Sequence, residues 1–373
     1  MDDKQIFFAG GGTGGHIYPA VAVAGQIAKI EPTAKIRFFC SNRNIDKQIL
    51  GQTGFEYTIL PAKGFSFRLG KLIGFFNSFL QSYKIAKEAI GERTDVVVIG
   101  VGGFVSAPVC LAAHKCKVPV ALLNVDILPG RANKIVARWA DEIFVQFEET
   151  RQYFAKCRAK ISIVGCPLRS GFSNPEPNKA IEQLGLDRKK KILLITGASS
   201  GSENINKTIC SLLKKLDTFV DNWQIVHLTG RGNFEKVSGG YVNAKISHKV
   251  VEYFDDMPDL LAAADLVIGR SGAVSVAEFA AAAVPSICMP YPYHKDRHQY
   301  LNAGKLVEAG AAIIVDDLPD EKDRAEWLWE ELQELMKDRK KRQEMAEACR
   351  EIANLDADIK IAERLVRIED SSK

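Results

Sequence analysis

The stretch GGGTGGHIYPA at residues 10–20 follows the apolar run Ile6, Phe7, Phe8 and Ala9 and leads into the helical-looking AVAVAGQIAKI at residues 20–30. An apolar strand that ends on glycines and passes at once into a helix is the opening unit of a doubly wound α/β domain. Glycine has no side chain and permits positive φ, so such a turn lets backbone amides crowd against something bulky. The helix N-terminus behind it favours an anion such as a phosphate.

Outward from this turn the same texture repeats. IFFAG, KIRFFC, DVVVIG, VPVALL, EIFVQF and ISIVG alternate with helical patterns, as βαβ units on a parallel sheet do. At residues 166–191 the composition shifts to CPLRSGFSNPEPNKAIEQLGLDRKKK, with three prolines and a basic run. The pattern then restarts with KILLITGASSGSEN, WQIVHLTG, KVVEYF, ADLVIG, PSICMPYP and AAIIVDD. The expectation is two Rossmann-like doubly wound parallel-sheet domains, 1–166 and 167–373, with ligands at the carboxyl ends of both sheets. The last fifty residues or so are charge-rich and helical, with Leu328, Leu332 and Leu335 at helix spacing, and are expected to cap or bridge the domains.

Bulk properties agree with a two-domain enzyme. A chain of 373 residues exceeds one ordinary core, at about 150 residues per domain. The net charge of +4 is too mild for a dedicated nucleic-acid binder. The start MDDKQIFFAG lacks the basic and apolar regions of a signal peptide, and no apolar run reaches the roughly 18 residues of a membrane span. The eight cysteines show no CxxC pair and read as reduced thiols in a cytoplasmic protein.

Gly10, Gly12 and Gly15 satisfy G-x-G-x-x-G, which raises a dinucleotide dehydrogenase. That fingerprint wants an acid at the end of the second strand, but KIRFFC ends in Cys40, Ser41 and Asn42, with Glu31 before the strand and Asp46 well past it. NAD is set aside on that ground. Three more glycine-rich turns follow strands: GVGGFVSAP at Gly100, TGASSGSEN at Thr196 and GRSGAVSVAEFAAA at Gly269. One such turn alone is ordinary tight-turn chemistry. Four of them, split across two tandem halves, suggest one or two diphosphate-bearing substrates. No spaced His/Cys cluster supports zinc, so no metal cofactor is expected.

At GGTGGHIYPA, GVGGFVSAP, GCPLR and RSGAVSVAEFAAAAVPSICMPYPYHKDRHQYLNA the chain resembles the MurG family of bacterial glycosyltransferases, over nearly its whole length. The resemblance implies a GT-B fold of two facing Rossmann-like domains. It implies inverting transfer of N-acetylglucosamine from UDP-GlcNAc to the 4-hydroxyl of the muramoyl sugar of lipid I, a polyprenyl-diphosphate-linked muramoyl peptide. The product is lipid II, for peptidoglycan. Thr13, Gly14, Gly15 and His16, with Gly102 and Gly103, would face the acceptor's diphosphate. Ser199 and Gly201 would approach the donor, and Arg169 its diphosphate. Arg270 would open the substrate-binding stretch that runs to Glu278, with the amides of Ser271, Gly272 and Ala273 meeting phosphate, Glu278 the ribose hydroxyls, and His298 and Gln299 the sugar. Two stretches depart from the family. LLNVD puts Asn124 where a Glu is usual and leaves Asp126 as its one carboxylate, and GASSGSENIN places Ala198 and Ser200 where Gly and Gln are expected.

Glycosyl transfer needs a base for the incoming hydroxyl and stabilisation of the departing UDP. His16 is the first candidate base, because an imidazole titrates near neutrality; Asp126 is the second. The competing reading of His16 is a structural donor to a neighbouring carbonyl. Helix termini and Arg169 would stabilise UDP.

Residues 57–87 contain no acid but four lysines, one arginine and several aromatics. Leu69, Leu72, Ile73, Phe76, Phe79, Leu80 and Tyr83 fall in one helical stripe, most of which is expected to pack on the sheet. Phe65, Phe67, Arg68, Lys71 and Phe75 are left as a basic, aromatic patch for an anionic membrane surface. The placement expected is peripheral, on the cytoplasmic side of the bacterial cell membrane. Rival readings are a transferase with another acceptor, a UDP-GlcNAc 2-epimerase, and a non-catalytic nucleotide-sugar or lipid-binding module.

Overall fold

Ile6–Ala9, apolar without a break, forms the middle of a strand, β1 (Gln5–Gly10), whose residues from Ile6 onward are all buried. The computed structural model describes residues 3–64, 69–91, 95–198 and 201–368, without the side chains of 69–71. Its chain divides into two compact units, Met1–Arg169 with Asp356–Lys373, and Ser170–Leu355.

The first unit adds β2 (Lys35–Cys40), β3 (Glu56–Ile59), β4 (Val96–Gly102), β5 (Val120–Asn124), β6 (Glu142–Val145) and β7 (Lys160–Ile163). They form a seven-stranded sheet in the order β3-β2-β1-β4-β5-β6-β7. Every pairing is parallel. All of β4, VVVIGVG, is buried, as expected of a strand covered on both faces. The edge strand β3 was not foreseen, because EYTI is largely exposed and carries no apolar run.

The second unit contributes β8 (Lys191–Thr196), β9 (Trp223–Leu228), β10 (Ser247–Val251), β11 (Leu266–Gly269), β12 (Ser286–Cys288) and β13 (Ala312–Ile314). Its six-stranded order, β10-β9-β8-β11-β12-β13, repeats that of the first sheet up to β6 and lacks a counterpart of β7. In each sheet the direction of strand addition reverses beside the first strand, between β1 and β4 and between β8 and β11. Ligands of open parallel sheets bind at the carboxyl ends flanking that switch. The glycine turns occupy those two places.

Leu328, Leu332 and Leu335 lie on the helix Glu321–Lys337 and are fully buried in the second unit's own core. The last helix, Ala357–Arg367, belongs to the first unit, where Asp358 accepts from Gln26 at 2.8 Å and Arg364 donates to the buried Glu142 at 2.6 Å. The helix behind the first glycine turn runs Gly14–Ile30, so it starts ahead of the helical-looking stretch at residues 20–30 and takes in the end of the glycine turn. Thr13 leaves the strand with φ −151 and the glycines at its first turn enter the helix directly.

The helix Leu69–Ile90 corrects the expected packing of the aromatic stripe. Phe79 and Tyr83 pack on the core with Ala86 and Ile90, but Ile73, Phe76 and Leu80 are 69%, 57% and 54% exposed. At about 100° per residue the core-facing set and the exposed trio occupy adjacent faces, so only one edge of the stripe meets the sheet. Phe75, expected outside it, is half-buried against Phe76 and Phe79. Phe65, Phe67 and Arg68, and the side chain of Lys71, lie outside the described residues. No helix among the described residues is long and apolar enough to cross a membrane.

All eight cysteines are free thiols. Burial pushes those of Cys40, Cys110, Cys288 and Cys349 up to about 12, which keeps them protonated and inert.

Candidate active site

Two glycine turns meet at the switch point of the first unit. The ladder between β1 and β4 slips by one residue at its carboxyl end, where Gly10 pairs with Gly102. Gly103 has φ +78, and a Cβ there would collide with the Gly11 carbonyl, so the two turns approach as closely as backbones allow. The first turn is held from below by Asp46, which is fully buried. Its carboxylate accepts from the Gly12 amide at 2.8 and 2.9 Å, from the Ser41 amide at 3.0 Å and from the Ser41 hydroxyl at 2.6 Å. A Cβ at Gly11, where φ is +144, would strike that carboxylate. Arg43 donates from Nη1 to the Gly12 carbonyl at 2.7 Å and lies over the Phe104 ring.

His16 stands on the first turn of the helix, half-buried. Its Nδ1 is 3.1 Å from the Gly11 carbonyl and 3.4 Å from Thr13 Oγ1. A carbonyl only accepts, so neutral His16 carries its proton on Nδ1 and leaves Nε2 as a basic lone pair. The structural reading of His16, a donor to a neighbouring carbonyl, is thus what the geometry shows, and it leaves Nε2 free to accept a proton. The amides of Gly14 and Gly15 open the helix and, like the first amides of any helix, have no intrahelical acceptor. The Gly12 amide is spent on Asp46, so the anion-binding part of this turn begins after it.

Beside His16 the chain brings up Asn124 and Asn133, 1% and 7% exposed. Asn124 Nδ2 donates to the main-chain carbonyl of the half-buried Asp126 at 2.6 Å, and Asn133 Nδ2 donates to Asn124 Oδ1 at 2.8 Å. Arg169 sits in the same unit with its guanidinium carbon 4.6 Å from the centre of the Tyr18 ring.

The second unit repeats the plan with opposite anchoring. Its turn after β8 folds tightly enough that a Cβ on Gly197 would strike Ser202, and Gly201 has φ +71 beside the Thr229 carbonyl. Ser199 lies outside the described residues. Arg270, expected among the substrate-binding residues, has its guanidinium turned inward and is 8% exposed. Nη1 donates to the Met289 and Pro290 carbonyls at 2.8 and 3.2 Å, and Nη2 to Ser202 Oγ and Asp317 Oδ2, both at 2.7 Å. Arg270 is thus a strut joining three loops. Asp317 also accepts from Asn204 at 2.8 Å and lies 3.6 Å from Arg324.

Next to this strut, Gly272 caps the helix Ala273–Ala281 with no side-chain hydrogen bond, which leaves the first amides of that helix available to an anion. Ser271 is buried and donates to the Gln299 carbonyl at 2.9 Å. Glu278, half-buried, lies about one and a half turns into the helix. Gln299 Oε1 accepts from the Tyr291 amide at 2.9 Å, so its amide N–H groups are the ones left to read a ligand. His298 Nδ1 is 2.8 Å from Asp296, which assigns the proton to Nδ1 and presents Nε2, and its ring stacks on His294 at 4.3 Å. Desolvation, the largest single influence, raises the Asp296 carboxyl, but the hydrogen bonds and charge of His298 together with the charge of His294 outweigh it and hold that carboxyl below its usual value. Among the described residues no three His, Cys, Asp or Glu side chains gather as a metal site.

Asp46, Asn133 and Asp317 were not foreseen. Asp46 and Asn133 stand in the first turns of short helices and Asp317 in the segment after β13, and their partners Gly12, Asn124 and Arg270 lie 34, 9 and 47 residues away in sequence, so no local signal marked them.

Residues 6–145 match the glycosyltransferase family 28 N-terminal domain and residues 192–364 the glycosyltransferase family 28 C-terminal domain. The chain is 34% identical, over 96% of its length and 98% of the relative's, to the UDP-N-acetylglucosamine--N-acetylmuramyl-(pentapeptide) pyrophosphoryl-undecaprenol N-acetylglucosamine transferase of Caldanaerobacter subterraneus subsp. tengcongensis. Among solved structures it is similar to MurG of Acinetobacter baumannii, at 24% identity and TM-score 0.74, covering 98% of this chain and 100% of that one. It is also similar to the UDP-GlcNAc 2-epimerase of Neisseria meningitidis bound to UDP-GlcNAc, at 14% identity and TM-score 0.69 over 98% and 100% of the two chains. These likenesses to solved structures show the two-domain GT-B fold, which transferase and epimerase share.

Proposed function

The chain belongs to glycosyltransferase family 28, and we propose that it moves N-acetylglucosamine from UDP-GlcNAc to the muramoyl 4-hydroxyl of lipid I, forming lipid II for peptidoglycan. The observation that carries this reading is sequence identity sustained along the whole of a transferase so named. The epimerase shares the fold at far lower identity, and the shared fold does not favour it.

We assign the chemistry as follows. His16 Nε2, freed by the bond from Nδ1 to the Gly11 carbonyl, takes the proton of the 4-hydroxyl. The hydroxyl oxygen bonds to C1 of N-acetylglucosamine as the C1–O bond to UDP breaks, and UDP leaves with the bonding electrons. A single displacement inverts the anomeric centre. The open amides at Gly272 and Ala273 meet the diphosphate, and Gln299 and His298 read the sugar hydroxyls from their outward-facing nitrogens. Arg270 acts indirectly, by holding the loops that carry these groups. No metal enters any step of this assignment.

Incubation with UDP-GlcNAc and a short-chain lipid I analogue should give an acceptor one N-acetylglucosamine heavier, with the anomeric proton coupling of a β-linkage. An acceptor that stays unextended while the sugar is epimerised would contradict the reading.

A polyprenyl-linked acceptor has to be reached at a bilayer, and the first unit offers a face for it. We assign peripheral docking on the cytoplasmic surface to Ile73, Phe76 and Leu80, which share a helix face with the exposed Lys84 and Lys87. An exposed aromatic flanked by aliphatic side chains and rimmed by lysines suits an anionic interface. Phe76→Ser with Lys84→Glu and Lys87→Glu should abolish sedimentation with phosphatidylglycerol vesicles and leave turnover of a short-chain acceptor intact. Unchanged sedimentation would remove this face from the account.

A further inference from the structure

We propose that Asn133 Oδ1 accepts a hydrogen bond from the acceptor sugar beside His16, which makes Asn133 a binding residue for the acceptor; this rests on the transferase reading above. The argument begins from an acceptor that cannot be turned round. The Asp126 main-chain carbonyl has only lone pairs to offer, so the Asn124 amide meeting it at 2.6 Å must present Nδ2. Asn124 Oδ1 then points the other way and must receive a donor, which is Asn133 Nδ2 at 2.8 Å. The second amide is thereby fixed by the first, and the usual ambiguity between amide oxygen and nitrogen is removed.

What remains is Asn133 Oδ1. It is buried and finds no donor among the described residues, on a side chain that is 7% exposed. A buried carbonyl oxygen without a donor costs about 1–3 kcal/mol, so a protein keeps one where something else satisfies it. Its surroundings say what that is. A Cβ placed on Gly102 would lie 2.9 Å from both Cδ2 and Nε2 of His16 and 3.5 Å from Asn133 Oδ1, so the imidazole and the amide oxygen border one small space. Gly102 has φ +103 and contributes no side chain to fill it. A group entering there meets a basic nitrogen on one side and a hydrogen-bond acceptor on the other. Both demand a donor, so the space fits the hydroxyls or acetamido N–H of a sugar and repels a phosphate oxygen. The muramoyl ring, with its 4-hydroxyl at His16 Nε2, would place a neighbouring 6-hydroxyl or 2-acetamido N–H within the reach of Asn133.

The test uses the full-length protein, UDP-GlcNAc and a short-chain lipid I analogue. Asn133→Ala should lower kcat/KM for the acceptor by about 10-fold or more and leave KM for UDP-GlcNAc within about twofold. Asn133→Asp, which keeps an oxygen of the same size, should retain more acceptor kcat/KM than alanine does. Acceptors lacking the 6-hydroxyl or the acetamido N–H complete the cycle: one of them should be penalised by wild type and not further penalised by Asn133→Ala. If Asn133→Ala fails to fold, the wild-type and Asn133→Asp proteins decide, both penalising that one analogue. Wild-type kinetics for Asn133→Ala, an equal loss for Asp and Ala, or indifference of wild type to both analogues would overturn the inference. A wild-type protein that turns over no lipid I analogue at all would instead overturn the transferase reading itself.

Discussion

Both units lay the same strand order beneath a glycine turn, yet the turn of the first is anchored by a buried acid and that of the second by a buried cation. Asp46 takes up an amide, that of Gly12, and two donors of Ser41. Arg270 takes up carbonyls, those of Met289 and Pro290, together with Ser202 and Asp317. The sign of the anchor decides what each turn has left for a ligand. The acid consumes amide donors and leaves an imidazole as the reactive group; the cation consumes acceptors and leaves helix amides free for phosphate. On the proposed function these are the two needs of glycosyl transfer, a base for the nucleophile and a cradle for the leaving diphosphate.

The largest effect should come from breaking the first half of this contrast. His16→Ala is expected to lower kcat about 10²- to 10⁴-fold while UDP-GlcNAc binding, read by calorimetric titration, stays within about twofold. Equal loss of donor binding would mean that the labour is not divided as stated. On stability, Arg270→Ala leaves the Asp317 carboxylate buried with Arg324 at 3.6 Å as its remaining cation. Removing one partner of a buried pair typically costs about 3–5 kcal/mol, and chemical unfolding of the variant should fall at the lower end. Asp46→Ala strands three donors and should cost about 1–3 kcal/mol, with the loss of turnover exceeding what unfolding explains. A neutral outcome for either would reduce that anchor to a bystander.

The smallest effect separates the units by pH. His227 is fully buried in the second unit between the Tyr241 hydroxyl at 2.9 Å and Asn206 Oδ1 at 3.0 Å, and desolvation lowers its pKa from 6.5 to about 3. The unfolded chain therefore binds a proton that the folded one refuses. Stability is whole above pH 6.5 and drains away as pH falls from there toward 3. The loss should be about 2 kcal/mol at pH 5. His227→Gln should flatten the dependence of unfolding free energy between pH 7 and pH 5; an unaltered slope would assign the acid sensitivity elsewhere.

The strands that the sequence revealed were those whose apolar runs are long, such as Ile6–Ala9 and VVVIG, because burial on both faces writes itself into composition. β3 escaped, since an exposed edge strand needs no apolar run. The glycine turns were legible for the same local reason: positive φ and close backbone approach exclude other residues at Gly103 and Gly201. What was not legible is everything set by contact across the fold. Asp46 was dismissed for lying too far past β2, yet the helix Asn44–Gly51 returns it beneath Gly12. The resemblance counts Arg270 with the substrate-binding residues, and its bonds to Ser202 and Asp317, both remote in sequence, turn it inward. The apolar stripe of Leu69–Ile90 has the right period but does not state which of two adjacent faces meets the sheet.

The most direct test of the transferase account is UDP release from UDP-GlcNAc, followed in real time with and without the short-chain lipid I analogue. The account predicts no release without acceptor and, once it is added, UDP and extended acceptor appearing in equal amounts. UDP released, or the sugar epimerised, at the same rate in the absence of acceptor would contradict it.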